Sequence, residues 1–276
     1  MGIALVAILL LAIGFSNATN DPIVREAKVE VDDWPTDTPP FTVLALSDIH
    51  VAGPDMPPER LVRIAEKLNA IEPDLVVIAG DLVSEKRIAT KLYPPGQMAD
   101  ALAKLGADQG VLVVPGNHDH WAGIEPIVAA LEEAGISIAA NEAVKRGPLL
   151  VAAIDDHFTD HDDVAATFAS LDALGPGPTI VVTHSPDVIP ELPRPVDAAF
   201  AGHTHCGQIS LPVLGPVAYM SRFGDRYACG DIDDNGQRVF VTAGLGTSLL
   251  PLRFGAPPDV WLVTFGPAKT MESPKP

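Results

Sequence analysis

Two histidines on alternate residues, bracketed by glycines, mark the stretch Ala201-Gly202-His203-Thr204-His205-Cys206-Gly207. It follows the apolar run Ala198-Ala199-Phe200, so the pattern predicts a strand that ends in a tight loop. Two imidazole rings at such a strand end approach a common point when both bind something that lies there. A pair of transition-metal ions is the usual case. One His-x-His pair is weak evidence by itself, and the interpretation depends on residues upstream.

Four apolar runs upstream also end in residues that can bind a metal. Asp48 and His50 follow 41–46, Asp81 follows 75–80, Asn117 and His118 follow 111–116, and His184 follows 180–183. Because ligands bind at the carboxyl ends of strands in α/β sheets, we expect these loops and the His-x-His loop to converge on one crevice. The mixture of Asp, Asn and His favours Mn, Fe or Zn over Ca. The two cysteines of the chain are too few for an all-thiolate site.

Each of these residues also has an ordinary structural interpretation. Asp48, Asp81 and Asn117 could be turn or helix-cap residues, and His184 could be a hydrogen-bonded core histidine. The ordinary interpretations fail together, because coincidence would have to place five of the chain's eight histidines at the ends of predicted strands. The combined pattern therefore predicts a metal site.

Composition limits the class of protein. With 276 residues and 47% hydrophobic content, the chain can bury a full core as one large domain, which excludes disorder and a disulfide scaffold. The formal net charge of -18 argues against a nucleic-acid partner, because proteins that track phosphate backbones gather Lys and Arg. Bound divalent cations would supply a local positive field for an anionic substrate.

Apolar and amphipathic segments alternate along the chain. Helices are predicted at 59–70 and 98–105, and strands at 41–46, 75–79, 111–114, 136–140, 149–154, 180–183, 239–243 and 260–265. The second half carries more strands than helices. This excess predicts an α/β protein with a layered α/β/β/α sandwich, in which two packed mixed sheets are flanked by helices, in preference to a single doubly wound sheet.

The N-terminal segment is a separate unit. Residues 2–15 are apolar and uncharged, short of the roughly 20 residues that a membrane-spanning helix needs. Ser16-Asn17-Ala18 offers a signal-peptidase site, yet no Lys or Arg precedes the apolar run. A cleaved signal peptide, an uncleaved membrane anchor and a buried helix therefore remain alternatives for 1–18. We expect a linker or edge segment at 19–40, the main domain at 41–267, a tail at 268–276, and a membrane-associated or exported protein in preference to a cytoplasmic one.

The order of these residues resembles the five-block signature of the calcineurin-like metallophosphoesterases. The blocks are Asp48-Ile49-His50, Gly80-Asp81, Gly116-Asn117-His118-Asp119, His184 and Gly202-His203-Thr204-His205. The later part of the chain resembles a bacterial membrane-associated phosphodiesterase branch, in Cys206-Gly207-Gln208, where that branch has Gly-Gly-Gln, and in the stretch 250–255. One departure is Ser84, because many relatives carry an acid three or four residues after the second block's Asp. Glu85 is the candidate for that place.

The resemblance implies a dinuclear centre and its catalytic groups. One divalent ion (Mn, Fe or Zn) would be held by Asp48, His50, Asp81 and His205. The second ion would be held by Asp81, Asn117, His184 and His203, with Asp81 as the bridging ligand. A water between two cations loses its proton near neutral pH and would be the nucleophile. His118 would neutralise developing charge and act as general acid, and Asp119 would orient His118 and keep it protonated.

The implied activity is hydrolysis of a phosphodiester or pyrophosphate, carried by a small molecule or linked to a lipid. A phosphomonoesterase or nucleotidase is the alternative, and a non-catalytic metal-binding scaffold is a weaker one, because a scaffold has no need of His118.

Four further features of the sequence stay open. The loop at 155–157, with His161 near it, could line the substrate mouth or be solvated, and His120 has the same two alternatives. Arg253 could clamp a phosphate or form a surface ion pair. Cys206 could pair with Cys229 if the domain is exported.

Overall fold

The computed structural model describes residues 2–86, 88–211 and 213–268. Six α-helices lie within these ranges: α1 Gly2–Thr19, α2 Pro58–Asn69, α3 Pro95–Leu102, α4 Asn117–Ala122, α5 Ile124–Glu133 and α6 Val164–Ala173. Short 3-10 helices occur at Pro186–Glu191 and His205–Gly207. The described strands are β1 Ile23–Val31, β2 Phe41–Leu46, β3 Ala52–Gly53, β4 Leu75–Ala79, β5 Lys91–Leu92, β6 Val111–Val114, β7 Ser137–Ile138, β8 Glu142–Arg146, β9 Leu149–Ala153, β10 Thr179–Val182, β11 Ala198–Ala201, β12 Ser210–Leu211, β13 Gly215–Pro216, β14 Gly230–Asp234, β15 Gln237–Val241 and β16 Asp259–Pro267.

Two six-stranded mixed sheets form the centre of the molecule. The first has the strand order β1-β16-β2-β4-β6-β7, in which only the β16–β2 pair is antiparallel. The second has the order β14-β15-β11-β10-β9-β8, with parallel inner strands and an antiparallel strand at each edge. The parallel strands β2, β4, β6, β10 and β11 therefore bring their carboxyl ends to one edge of their sheets.

The layers follow from the period-two alternation of side chains along each strand. Val43 and Ala45 of β2 face the second sheet and pack in one cluster with Phe200 and Phe240. Leu44 and Leu46 point the other way, to helices α2, α3 and α5. Helix α6 covers the outer face of the second sheet. The predicted α/β/β/α sandwich is confirmed.

Several element boundaries differ from those that the sequence predicted. Strand β7 has two residues in place of the five expected at 136–140, because only Ser137 and Ile138 pair with β6 at the sheet edge. Helix α3 begins three residues before the predicted start, since Pro94 and Pro95 occupy the N-cap and first helical positions, where no donated hydrogen bond is lost. The short strand pairs β3–β5 and β12–β13 were not predicted.

The N-terminal segment extends the fold at the edge of the first sheet. Within 19–40, strand β1 pairs in parallel with β16, and Ile23 lies opposite Asp259. Helix α1 before it is exposed along most of its length, with Gly14 and Ala18 buried. Its mean hydropathy of 2.1 makes it the one described helix long and apolar enough to cross a membrane, a test that signal sequences also pass. Residues 269–276 of the expected tail lie outside the described residues.

Candidate active site

The seven predicted metal ligands come together where the parallel strands of both sheets end. The loops after β2, β4 and β6 carry Asp48, His50, Asp81 and Asn117, and those after β10 and β11 carry His184, His203 and His205. All seven are buried, none more than 6% exposed. The structure thus brings every one of them to a single crevice between the sheets, as the strand-end argument predicted.

The loops reach this crevice through unusual backbone conformations. Asp48, His50, Asp81, His203 and His205 have φ values between +47° and +67°. An L-residue in this left-handed region costs about 1 to 2 kcal/mol, so the surrounding fold must hold the loops in place. Glycines provide the necessary space: a Cβ on Gly202 would overlap the carboxylate of Asp48, and a Cβ on Gly116 would overlap that of Asp81.

One group of donor atoms surrounds His50. Its Nε2 lies 3.1 Å from Nε2 of His205 and 3.4 Å from Oδ2 of Asp81. Oδ1 of Asp48 lies 3.3 Å from His205 Nε2 and 3.9 Å from His50 Nε2. Four donor atoms from three loops therefore face a common point.

A second group surrounds His184 and shares one atom with the first. Nε2 of His184 lies 3.3 Å from Oδ2 of Asp81, 3.0 Å from Oδ1 of Asn117 and 3.2 Å from Nδ1 of His203. His203 Nδ1 is 3.0 Å from Asn117 Oδ1. Around a cation with bonds of about 2.1 Å, neighbouring ligand atoms stand about 3.0 to 3.4 Å apart, so the observed separations fit metal binding.

Second-layer contacts orient the rings. Nδ1 of His184 donates to the carbonyl of Ala79 at 2.8 Å, and Nδ1 of His50 to that of Val83 at 3.3 Å. Each of the two rings therefore carries its proton on Nδ1, which leaves the lone pair of Nε2 free to bind a metal.

The electrostatics of the cluster also suit ligands. Burial lowers the pKa of His203 to about 3 and the pKa values of His50 and His205 well below their usual range. Against the effect of burial, contact with His184 lowers the pKa of Asp81, which keeps this carboxylate ionised. Burial raises the pKa of Asp48 to about 6. Neutral imidazoles and an ionised carboxylate are the states in which His50, His203, His205 and Asp81 would bind metals. His184 differs, because against the effect of burial the Asp81 carboxylate raises the pKa of His184 well above its usual range.

Asp119 links two of the loops that carry predicted metal ligands. Its carboxylate accepts hydrogen bonds from the backbone amides of Asp81 and Leu82 at 2.9 Å and of Gly116 at 3.0 Å. It therefore ties the loop after β4 to the loop after β6, and the expected role of Asp119 in orienting His118 stays a prediction. Burial raises the pKa of Asp119 to about 7.

His118 lies beside the cluster and lines the cavity in front of it. Its ring is 4.8 Å from that of His50 and 4.9 Å from that of Trp121, between centroids. Within the described chain, its buried Nδ1 has no hydrogen-bond partner. Oε1 of Glu85 lies 3.7 Å from that nitrogen, so Glu85 stands where the sequence suggested an acid after the second block.

The cavity in front of the cluster has a volume of about 390 Å³ and mostly apolar walls. Trp121, Phe158, Val217, Leu249 and Leu250 line it. Sequence reasoning missed Trp121, although it stands one helical turn after His118. It also missed Phe158, whose ring lies 4.6 Å from that of His203.

Hydrogen bonds hold the loop at 155–157 in place, and the next residue, Phe158, lines the cavity. Oδ1 of Asp155 lies 2.8 Å from Nε2 of His120, and Asp156 accepts from the amide of Thr159. Because Asp155 and Asp156 are buried, the alternative of a solvated loop is wrong for them. The loop contributes to the mouth through Phe158.

Arg253 is neither a phosphate clamp nor a surface residue. Its side chain is fully buried and donates to the carbonyls of Ala243, Gly244, Gly246 and Ala256. Burial lowers its pKa to about 10, so it stays charged at neutral pH. Its Nη2 also lies 3.4 Å from Nδ1 of His205.

Cys206 and Cys229 form a disulfide, with Cα atoms 4.7 Å apart. The bond lies directly after the last predicted metal ligand, His205. It joins that loop to the segment before β14.

The chain is similar in sequence to a known protein family and to several of its members. Residues 41–207 match the family described as calcineurin-like phosphoesterase. The chain is 30% identical over 238 residues to the metallophosphoesterase YkuE of Bacillus subtilis, covering 81% of this chain and 78% of that protein. It is 29% identical over 257 residues to an uncharacterized metallophosphoesterase of Helicobacter pylori, covering 90% of this chain and 65% of that protein's length.

A solved structure, the nuclease MPE of Pseudomonas putida, is 18% identical with a TM-score of 0.38 and covers 80% of this chain and 86% of that one. The family match includes all seven donor residues and spans more than half of the sequence. The chain belongs to the calcineurin-like phosphoesterase family.

Proposed function

We propose that this enzyme hydrolyses phosphodiesters or pyrophosphates at a centre of two divalent transition-metal ions. The observation that carries the proposal is the shared oxygen of Asp81. Its Oδ2 lies 3.4 Å from His50 Nε2 and 3.3 Å from His184 Nε2, so one carboxylate touches both donor groups. A carboxylate placed between two donor groups would hold a pair of divalent ions together.

The remaining donors divide between the two positions. Asp48, His50 and His205 complete the first set with Asp81, and Asn117, His184 and His203 complete the second. Mn, Fe or Zn suits this mixture of imidazole, amide and carboxylate. Bound there, the two cations would polarise the phosphoryl group and activate a water for attack on phosphorus.

His118 is the proposed general acid. It lines the cavity, and its unpaired buried Nδ1 leaves the ring with an unsatisfied polar atom beside the donor groups. A protonated ring there would stabilise charge on the phosphoryl oxygens and donate a proton to the leaving oxygen. Glu85, 3.7 Å from Nδ1, is the group best placed to orient the ring.

The cavity favours a substrate with an apolar part. No Lys or Arg is among the described residues that line it, and its outer wall consists largely of Val217, Leu249, Leu250, Trp121 and Phe158. The bound cations would therefore balance the charge of the phosphate, while a hydrocarbon group would cover the outer wall and remove it from water. A lipid-linked phosphodiester or pyrophosphate has both a phosphate for the metal end of the cavity and a hydrocarbon group for its outer wall.

A nucleotide is the second candidate, and the aromatic pair at the mouth supports it. Trp121 and Phe158 are half exposed, with ring centroids 6.1 Å apart, and bases stack on such side chains. The expected exclusion of nucleic acids has no support from the comparisons, since one similar structure is a nuclease. The net charge of -18 still disfavours long phosphate backbones.

Helix α1 supports a location at a membrane. Its exposed apolar surface is suited to a bilayer, whether it acts as an anchor or as an export signal. The similarity to a membrane-associated phosphodiesterase branch, noted from 206–208 and 250–255, belongs to the same proposal.

A turnover panel tests the proposal. The full chain, purified in detergent, is stripped with a chelator and reloaded with Mn, Zn, Fe or Mg. It is then offered an aryl phosphodiester, an aryl monoester, a nucleotide, a lipid-linked pyrophosphate and a DNA oligonucleotide. We expect activity to vanish on stripping and to return better with Mn than with Mg, because imidazole ligands favour the later transition metals.

Each result of the panel has a distinct meaning. Full turnover by protein shown to be free of metal would contradict the proposal. Two bound metals without turnover of any substrate would favour the scaffold alternative.

A further inference from the structure

We propose that the cavity opens toward a lipid bilayer, and that an apolar collar around its mouth docks onto the membrane beside helix α1. The collar consists of Leu211, Val213, Leu214, Val217, Leu249 and Leu250. Docking stands without the proposed function. Only the consequence for substrate, that an amphiphile reaches the site from the bilayer, rests on it.

Helix α1 is packed onto the domain at its C-terminal end. The carbonyl of Gly14 accepts from the amide of Arg253 at 2.9 Å, and Nδ2 of Asn17 donates to the Arg253 carbonyl at 3.1 Å. A Cβ on Gly14 would overlap the ring of Phe254, which shows how closely the helix approaches this loop. Ala18 is fully buried. The last turns of α1 are thus fixed to the segment that ends the collar.

The same segment holds the β12–β13 hairpin. The amide of Ser210 donates to the Phe254 carbonyl at 2.7 Å, and the amide of Phe254 donates to the Gln208 carbonyl at 3.0 Å. The side-chain amide of Gln208 donates to the carbonyls of Leu250 and Leu252 at 2.9 and 3.1 Å. These bonds couple the collar to α1, so the position of α1 in a membrane determines the position of the collar.

The collar exposes large apolar side chains without a described partner. Leu214 is 79% exposed and Leu249 is 71% exposed, and Val213 at the hairpin tip is fully exposed. Val217, Leu249 and Leu250 also line the cavity, so the collar is continuous with the wall of the site. A contiguous apolar patch of this kind marks a protein or membrane contact.

Continuity with α1 identifies the bilayer as the occupant. Residues 2–13 of α1, which precede its contact with the domain, extend about 18 Å at 1.5 Å per residue, more than half of the hydrocarbon thickness of about 30 Å. If this part of α1 inserts into the membrane, the Gly14–Arg253 contact lies at the membrane surface. The collar, bonded to that contact, then meets the same surface. A net charge of -18 argues against attraction to anionic lipids, so the docking is apolar.

Site-directed spin labelling tests the docking. Because the chain's two cysteines form the disulfide, Val213→Cys, Leu249→Cys and Leu174→Cys each add one reactive thiol to the full chain. Leu174 is a matched control: it is 44% exposed, and it precedes β10, at the edge of the sheet opposite the site. The labelled proteins are reconstituted into phosphatidylcholine vesicles.

We expect labels at 213 and 249 to show a severalfold higher ratio of oxygen to nickel-complex accessibility than the label at 174. Equal ratios at all three positions would overturn the docking. Strong spin–spin broadening at 213 would also overturn it, since a second copy of the chain would then cover the collar.

A kinetic experiment separates docking from the chemistry. Neither Val213 nor Leu214 lines the cavity, so Val213→Asp with Leu214→Asp should leave turnover of a soluble aryl diester unchanged. The same double variant should lower turnover of a lipid-linked pyrophosphate presented in vesicles at least severalfold. Unchanged vesicle turnover would contradict the docking. Failure of the wild type on the soluble diester would contradict the proposed function instead.

Discussion

Replacing Arg253 by Met removes a buried cation while keeping much of the volume of its side chain. The guanidinium serves four carbonyl groups: Nη2 lies 2.6 Å from Ala243 O, 2.5 Å from Gly246 O and 3.2 Å from Gly244 O, and Nη1 lies 3.0 Å from Ala256 O. Three of these carbonyls belong to the loop at 243–246, which contacts the loop after β2, since the amide of Gly246 donates to the Asp48 carbonyl at 2.8 Å. Without the arginine they have no replacement donor on the Met side chain.

The expected loss follows from the number of carbonyls. Each buried polar group left without a partner costs about 1 to 3 kcal/mol, so even the lower value gives a total of about 4 kcal/mol for four groups. For a domain of this size, 1 kcal/mol lowers the melting temperature by about 2 to 4 °C. We therefore expect Arg253→Met to melt about 8 to 16 °C below the wild type.

Thermal unfolding by circular dichroism, in one detergent and with a chelator present, measures this loss separately from any effect on metal binding. Arg194→Met is the control, because Arg194 is about half exposed and pairs with exposed Asp172 at 2.6 Å. An exposed pair of this kind contributes about 0 to 1 kcal/mol, which corresponds to less than about 4 °C. If Arg253→Met melts as close to the wild type as Arg194→Met does, the carbonyl contacts do not stabilise the loops as argued.

Three other predictions concern the metals, the disulfide and the N-terminus. We expect Asp81→Ala to lose both metals and His118→Ala to retain them while turnover falls by roughly 10² to 10⁴, the share of a general acid. Metal analysis beside kinetics decides this, and equal metal loss in the two variants would refute the division of roles. Replacing Cys206 and Cys229 together by Ser should destabilise the oxidised protein by about 3 kcal/mol, from the loop-closure entropy of a separation of 23 residues. A denaturant midpoint equal to that of the wild type would contradict it. Because the C-terminal turns of α1 are packed on the domain, we expect the mature chain to keep α1 and to partition with membranes. N-terminal sequencing that begins at Thr19 would show cleavage instead.

The sequence predicted that the seven candidate ligands would lie together, because each of them follows a buried strand. Runs such as 75–79 and 111–114 are apolar throughout, since both faces of these central strands are covered, and their ends are therefore visible in the sequence. The alternation of strands and helices then determines which edge of the sheet carries the loops. The positions of Asp81 and Asn117 follow from this rule.

What sequence reasoning missed depends on contacts that carry no sequence pattern. The partners of Arg253 are backbone carbonyls, which every residue has, so the identity of neighbouring residues does not reveal them. The same holds for Asp119, whose partners are backbone amides. Pairing of strands distant in the chain is likewise unpredictable from local periodicity, and β16 inserted between β1 and β2 is the clearest case.

That insertion has a consequence for how the protein is made. Strands β1 and β2 are complete once residue 46 has been synthesised, yet both pair with β16, at Asp259–Pro267. At about 5 to 20 residues per second, the ribosome takes about 10 to 45 s to add the intervening chain. Throughout that time two strand edges lie open to other nascent chains. A transcript cut short before codon 259 would leave them open permanently, so a truncated product is a substrate for chaperones and proteases rather than a smaller enzyme.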